Sequence, residues 1–170
     1  MPQGTLNKKQ AKHDWGVQKA VEMILAFLKR QNISATIDKA TRRTLSYDFK
    51  INGVRVSVRV GSPNSTKHFV TVAGRKYEYS YPNYSFNLHS HGKPIDTDIV
   101  VLICAKKTGS SFRVTRFFAF PRKAHTSPTF SYHISKSGNY KGKLRPYMDS
   151  WDVLLSLAEI ETDTALDSSA

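Results

Sequence analysis

The chain reads as an α+β or mixed α/β domain, built on a single central mixed sheet flanked by helices. Three observations predict this. Residues 46–60 hold two strictly alternating segments joined by Asn52-Gly53, the pattern of a tight hairpin. Residues 15–30 carry Val17, Val21, Ile24, Leu25 and Leu28 at helical spacing. Residues 98–105 hold a continuous apolar run, which suits a strand buried on both faces.

Taken in order, residues 1–12 read as a flexible basic arm. Asp14 is placed to cap a helix over 15–30, and Asn32 to stop it. Residues 33–43 are a polar, basic connection, and the hairpin occupies 44–60. A two-residue turn at Asn52-Gly53 sets Ile51 against Val54, Lys50 against Arg55 and Phe49 against Val56, with Asp48 opposite Ser57. One face then holds Tyr47, Phe49, Ile51, Val54, Val56, Val58 and Val60. The other holds Ser46, Asp48, Lys50, Arg55, Ser57 and Arg59. Gly61–Ser65 reads as a loop and 67–73 as a third strand. Residues 75–88 are rich in Tyr, Asn and Ser. An aromatic strand over 111–120 follows the apolar run, and a short strand is expected from Thr129 to Ile134. A Gly- and Lys-rich loop spans 135–146. A last helix begins near Trp151, capped by Asp149 or Ser150. The domain therefore spans 13–160, and 161–170 form an acidic, disordered tail.

At 170 residues, with 23% charged and 39% hydrophobic side chains, the chain suits one globular domain. No apolar run is long enough to span a membrane and no secretory signal pattern is present, which points to a cytoplasmic protein without a membrane partner. The one Cys excludes a disulfide framework and a multi-Cys zinc site, and Cys104 sits in the apolar run as a core residue. The formal charge is +13. Six of the 13 acids follow Met148, where no Lys or Arg stands, so residues 1–148 hold 26 cations against 13 − 6 = 7 acids, a formal +19. Such an excess on one folded body points to nucleic acid.

Asp48 lies on a face otherwise carrying Lys50, Arg55 and Arg59. The Asp48-x8-Ser57-x-Arg59 spacing resembles the PD-(D/E)XK nuclease superfamily, in which an Asp on one strand faces an acidic-x-Lys triplet on the next. Phe86-Asn87-Leu88, Asp96-Thr97-Asp98 before the apolar strand, and Tyr147-x3-Trp151-Asp152-x-Leu154-Leu155 follow in the order of small homing-endonuclease-type members. The resemblance covers about residues 13–120 and implies a restriction-endonuclease-like core. It also implies Mg²⁺ held between two carboxylates, with Asp48 the metal ligand. Two positions depart from the pattern. Ser57 stands where the second acid belongs, and its neutral hydroxyl is a poor Mg²⁺ ligand. Arg59 stands where the Lys belongs and stays protonated at any working pH, yet it can clamp a phosphate in two-point fashion. The triplet is thus better suited to holding a phosphodiester than to cutting it. Glu22 on the first helix is the candidate replacement carboxylate, against the plainer reading of an exposed helix residue.

Other residues carry weaker signals. His89-x-His91, with His68, His125 and His133, lacks a carboxylate or Cys partner, and loops commonly hold histidines. The Tyr-rich segment behind Arg75 and Lys76 fits base stacking and cross-strand packing equally well. Lys141, Lys143 and Arg145 in the Gly-rich loop, with Lys50 and Arg55, suit phosphate contacts whose affinity falls with salt. The leading expectation is a duplex-DNA-binding protein with an altered Asp48/Ser57/Arg59 site and cleavage lost. The alternatives are a working Mg²⁺-dependent endonuclease, for which cutting both strands calls for a homo-oligomer, and an RNA-binding module built on the Tyr-rich sheet.

Overall fold

A computed structural model of the chain describes residues 3–40, 46–134 and 139–156. Helix α1 runs Gln3–Arg30. Ten strands follow: β1 Ile37–Lys39, β2 Phe49–Ile51, β3 Val54–Gly61, β4 Pro63–Val72, β5 Arg75–Asn87, β6 His89–Ser90, β7 Lys93–Pro94, β8 Ile99–Thr108, β9 Ser111–Pro121 and β10 Thr129–His133. Three single-turn 3₁₀ helices lie at Arg122–Ala124, Arg145–Tyr147 and Asp152–Leu155. The main sheet has the order β1-β2-β3-β8-β9 and a second has the order β10-β5-β4, while β6 and β7 pair with each other. β3 and β8 run parallel and the other neighbours antiparallel, so the main sheet is mixed.

The hairpin has the expected register, Phe49 with Val56, Lys50 with Arg55 and Ile51 with Val54. Asn52 and Gly53 have φ of 49° and 82°, the left-handed pair that a type I′ turn requires. Phe49, Ile51, Val56 and Val58 are fully buried against Ala20, Ile24, Phe27 and Leu28 of α1. β8 alternates between two cores. Val101, Ile103 and Ala105 face α1, and Val100, Leu102 and Cys104 face the second sheet. There they meet Tyr84 and Phe86 of β5, Phe130 and Tyr132 of β10, and Leu144. Burial pushes the Cys104 thiol up to about 12, as befits a core residue.

Several expectations need correction. The main sheet is not flanked by helices on both sides, because the second sheet occupies the face opposite α1. Residues 3–12 belong to α1 rather than to a flexible arm, so Asp14 lies inside the helix and is no N-cap. Leu25 faces solvent at 42% exposure, and Ala20 and Phe27 complete the buried stripe instead. β1 interrupts the 33–43 connection, and β4 begins at Pro63 within the expected loop. The segment after Trp151 is a 3₁₀ turn through Leu155, where the Ser150 hydroxyl accepts from the Asp152 N–H at 3.2 Å. Asp149 instead serves β9, accepting from Phe117 N at 3.0 Å and pairing with Arg116 at 3.1 Å. Asn32 does end α1, with φ 57° and its N–H on Lys29 O. The acidic tail at 161–170 lies outside the described residues.

α1 approaches the sheet closely at one point. A Cβ on Gly16 would stand 2.1 Å from Val60 Cγ2, so only glycine lets the helix lie this near β3. One turn before Gly16, on the same stripe, is His13.

Candidate functional site

Asp48 immediately precedes β2, where the ladder with β3 becomes irregular. Its N–H donates to Val56 O at 2.8 Å. Its Oδ2 accepts from the Val58 N–H at 2.7 Å, so the carboxylate itself is pinned to β3. The close approach at Gly16 brings His13 Nε2 to 2.7 Å from Asp48 Oδ1.

Ser57 and Arg59 point to the face of β3 opposite α1. The end of the second sheet covers that face, so Ser57 is fully buried and not on an open polar surface. Its hydroxyl accepts from Arg59 Nη1 at 3.1 Å. The same nitrogen donates to Val58 O at 3.0 Å and stands 4.0 Å from Asp48 Oδ2, while Arg59 Nε donates to Asn87 O at 3.3 Å. Burial lowers the Arg59 pKa from its ordinary value and the Asp48 charge pulls it back up. An arginine nevertheless stays charged at neutral pH. Its side chain retains 21% exposure, enough for its outer edge to meet a ligand.

Asp48, Ser57 and Arg59, separated in sequence, thus form one cluster, and His13 joins it. Helical spacing that begins at residue 15 leaves His13 outside the stripe. The stripe of Gly16, Ala20 and Ile24, extended one turn back, reaches it. Glu22 does not join. Nine residues on from His13, it is turned about 180° around the helix, and its exposed carboxylate pairs with Lys19 at 3.3 Å.

The predicted cations are dispersed. Arg55 is held by two acids. Its Nη2 and Nε reach Asp98 Oδ1 and Oδ2 at 3.1 and 3.2 Å, and its Nη1 lies 3.2 Å from Asp96 Oδ2. These bonds, Asp98 first, raise the Arg55 pKa and hold the Asp98 carboxyl below the usual range. Arg55 is therefore a neutralised anchor between β3 and the start of β8. Lys50 Nζ lies over the Tyr47 ring at 5.5 Å. Arg75 and Lys76 stand at the exposed tip of the β4–β5 hairpin. Lys141, Lys143 and Arg145 are exposed around buried Leu144. The histidines outside the cluster are scattered. His68 stacks on Tyr79 and Tyr81, His133 meets Tyr81 edge-on, and His125 bonds Thr129 O.

One carboxylate, already bonded through both oxygens, a buried neutral hydroxyl and a guanidinium 4.0 Å away make a poor donor set for Mg²⁺, which prefers several oxygen ligands around it. Among the described residues no three His, Cys, Asp or Glu side chains come together as a metal-binding group. No helix of the described chain is long and apolar enough to cross a membrane. No family model, curated protein or solved structure matches the chain.

Proposed function

We propose that this is a duplex-DNA-binding protein that holds a backbone phosphate at the His13–Asp48–Arg59 cluster instead of cutting it. The observation that carries the reading is the state of Asp48. Its two oxygens are occupied by His13 and the Val58 N–H, and Arg59 stands beside it. A carboxylate used this way positions neighbouring groups rather than ligating a metal. With Ser57 in place of a second acid, the cluster offers a positioned guanidinium to a phosphodiester. The +13 charge supplies the long-range attraction, and Lys141, Lys143 and Arg145 extend the contacts along the backbone.

The His13–Asp48 hydrogen bond also favours a second reading, a working hydrolase. A histidine oriented by a carboxylate can take a proton from an attacking water, with Arg59 stabilising the charge that develops on phosphate.

Supercoiled plasmid at low salt, with Mg²⁺ or Mn²⁺ and an Asp48→Asn control, separates the two. Asn keeps an oxygen for the Val58 N–H while removing the charge. The DNA-binding reading expects a salt-sensitive gel shift with the plasmid intact in both. Nicking by the parent that vanishes in the control establishes the hydrolase. A plasmid neither shifted nor cut overturns both and makes RNA the next partner to test.

A further inference from the structure

β4 and β5 extend well past the third strand of their sheet. β10 pairs only with Asn83–Asn87 of β5. Beyond it, the pairs from Ser65–Pro82 to Val72–Arg75 form a two-stranded ribbon. Eight such pairs at about 3.4 Å each give a ribbon of roughly 27 Å. Ala73 and Gly74, with φ of 49° and 73°, close it in a second left-handed two-residue turn. From Phe69 to Ser80 every residue is exposed, on both faces, so this part stands clear of either core.

Its side chains are not those of a solvated arm. Phe69, Val70, Val72, Tyr77 and Tyr79 are between 41% and 57% exposed. Elsewhere among the described residues only Leu25 and Leu155 are large, apolar and exposed. The pairing places His68, Val70, Val72, Arg75, Tyr77, Tyr79 and Tyr81 on one face. His68 stacks on Tyr79 and Tyr81 at 5.4 and 4.8 Å, stiffening the base of that face. The other face carries Lys67 paired with Glu78 at 3.0 Å and Lys76 over the Phe69 ring at 4.4 Å. Lys67 and Glu78 cancel, which leaves Arg75 and Lys76 as the net charge, both at the tip.

We propose that the β4–β5 ribbon enters the major groove of duplex DNA with its Tyr77/Tyr79 face toward the base edges, making it the element that reads sequence. This rests on the duplex-binding reading above and adds the part of the protein that confers specificity. A two-stranded ribbon has the width that the major groove admits. Tyr hydroxyls and Arg75 supply hydrogen bonds to base edges, Val70 and Val72 supply apolar contact for thymine methyls, and Lys76 reaches the backbone. The net positive charge left at the tip complements a polyanion.

The ribbon can be removed without touching the core. Thr66 and Tyr81 pair in the same phase as Val72 and Arg75, an even number of pairs down the ladder. Replacing residues 67–80 by Asn-Gly therefore keeps register and face. Parent, shortened variant and a full-length Tyr77→Ser/Tyr79→Ser variant are titrated against labelled duplexes by fluorescence anisotropy. They are also selected against a random-sequence duplex pool, with thermal unfolding and sedimentation run on each. The expected result is a folded shortened variant of unchanged oligomeric state that binds duplex about tenfold or more weakly and selects no sequence. The double Tyr variant selects less sharply than the parent at nearly the same salt dependence. Equal affinity and equal selection in parent and shortened variant overturn the ribbon's role while leaving duplex binding standing. A parent that binds no duplex overturns both. A shortened variant that falls from dimer to monomer makes the ribbon a self-association surface and overturns the proposal.

Discussion

His13 Nε2 and Asp48 Oδ1 lie 2.7 Å apart across 35 residues of sequence, and this contact ties the helix to the start of the hairpin. Both groups are more than half covered, Asp48 the more so at 18% exposure. The second oxygen of Asp48 satisfies a strand N–H, and its charge offsets that of Arg59.

Removing the whole Asp48 side chain and removing only its charge therefore have different costs. Asp48→Ala leaves the Val58 N–H without its acceptor and the largely buried Arg59 without its counter-charge, a loss of about 2–4 kcal/mol. Asp48→Asn keeps the first bond and loses about 1–2 kcal/mol. Urea unfolding of the two variants checks the order. Equal losses would show that the Val58 bond contributes nothing.

Gly16 predicts a sign that depends on its neighbour. In an exposed helix, Gly→Ala stabilises by about 1 kcal/mol. Here the added methyl meets Val60 Cγ2, and overpacking of that kind costs about 1–3 kcal/mol. Gly16→Ala is expected to be neutral to destabilising by about 2 kcal/mol in the parent and stabilising once Val60→Ala has made room. A double-mutant cycle of urea midpoints reads this directly. A Gly16→Ala that stabilises the parent argues against the close helix–strand approach.

The Arg55–Asp98 pair predicts a pH dependence. Hydrogen bonding to Arg55 holds the folded Asp98 carboxyl below its ordinary value. A lowered folded pKa gives stability that is complete above the unfolded value of about 4 and is lost as pH falls through the lower folded value. The stability gap between parent and Asp98→Asn is therefore flat near neutrality and closes in acid below about pH 4. With Asp98 about half exposed, its size is under about 1 kcal/mol. Chemical denaturation at stepped pH measures it, and a gap that widens in acid has the wrong sign.

Lys141, Lys143 and Arg145 are exposed cations, so their contribution is electrostatic. Changing all three to Ala is expected to leave the melting temperature within about 2–4 °C of the parent. It should also reduce the slope of log Kd against log salt by about 2–3, near 0.9 for each lost phosphate contact. An unchanged slope overturns the phosphate contacts proposed for these three residues.

Local pattern carried a good deal of this architecture. The hairpin register, its left-handed Asn52-Gly53 turn and the burial of Phe49, Ile51, Val56 and Val58 follow from period-2 alternation and one turn dipeptide. The double-sided burial of the β8 run follows from its unbroken apolar sequence, and the end of α1 at Asn32 from a residue that tolerates positive φ. The proximity of Asp48, Ser57 and Arg59 was legible for the same reason, since pairing register is a short-range property.

Tertiary structure alone decided what covers each face and which distant charge answers each local one. Alternation put Ser57 and Arg59 on the polar side of β3. Only the packing of residues 83–87 and 129–133 shows that this side is roofed by a second sheet and that Ser57 is buried. Arg55 reads as a free cation until Asp98, 43 residues on, is seen to hold it. Glu22 reads as a spare carboxylate until the helix phase turns it to solvent, and His13 has no visible role until Gly16 lets α1 touch β3. The Tyr-rich segment reads equally as a base-stacking surface or as cross-strand packing until β10 stops short of it and leaves the ribbon free. The reason is common to all of these. Periodicity fixes the direction in which a side chain leaves its own strand or helix, whereas its solvation and charge partner depend on segments dozens of residues away.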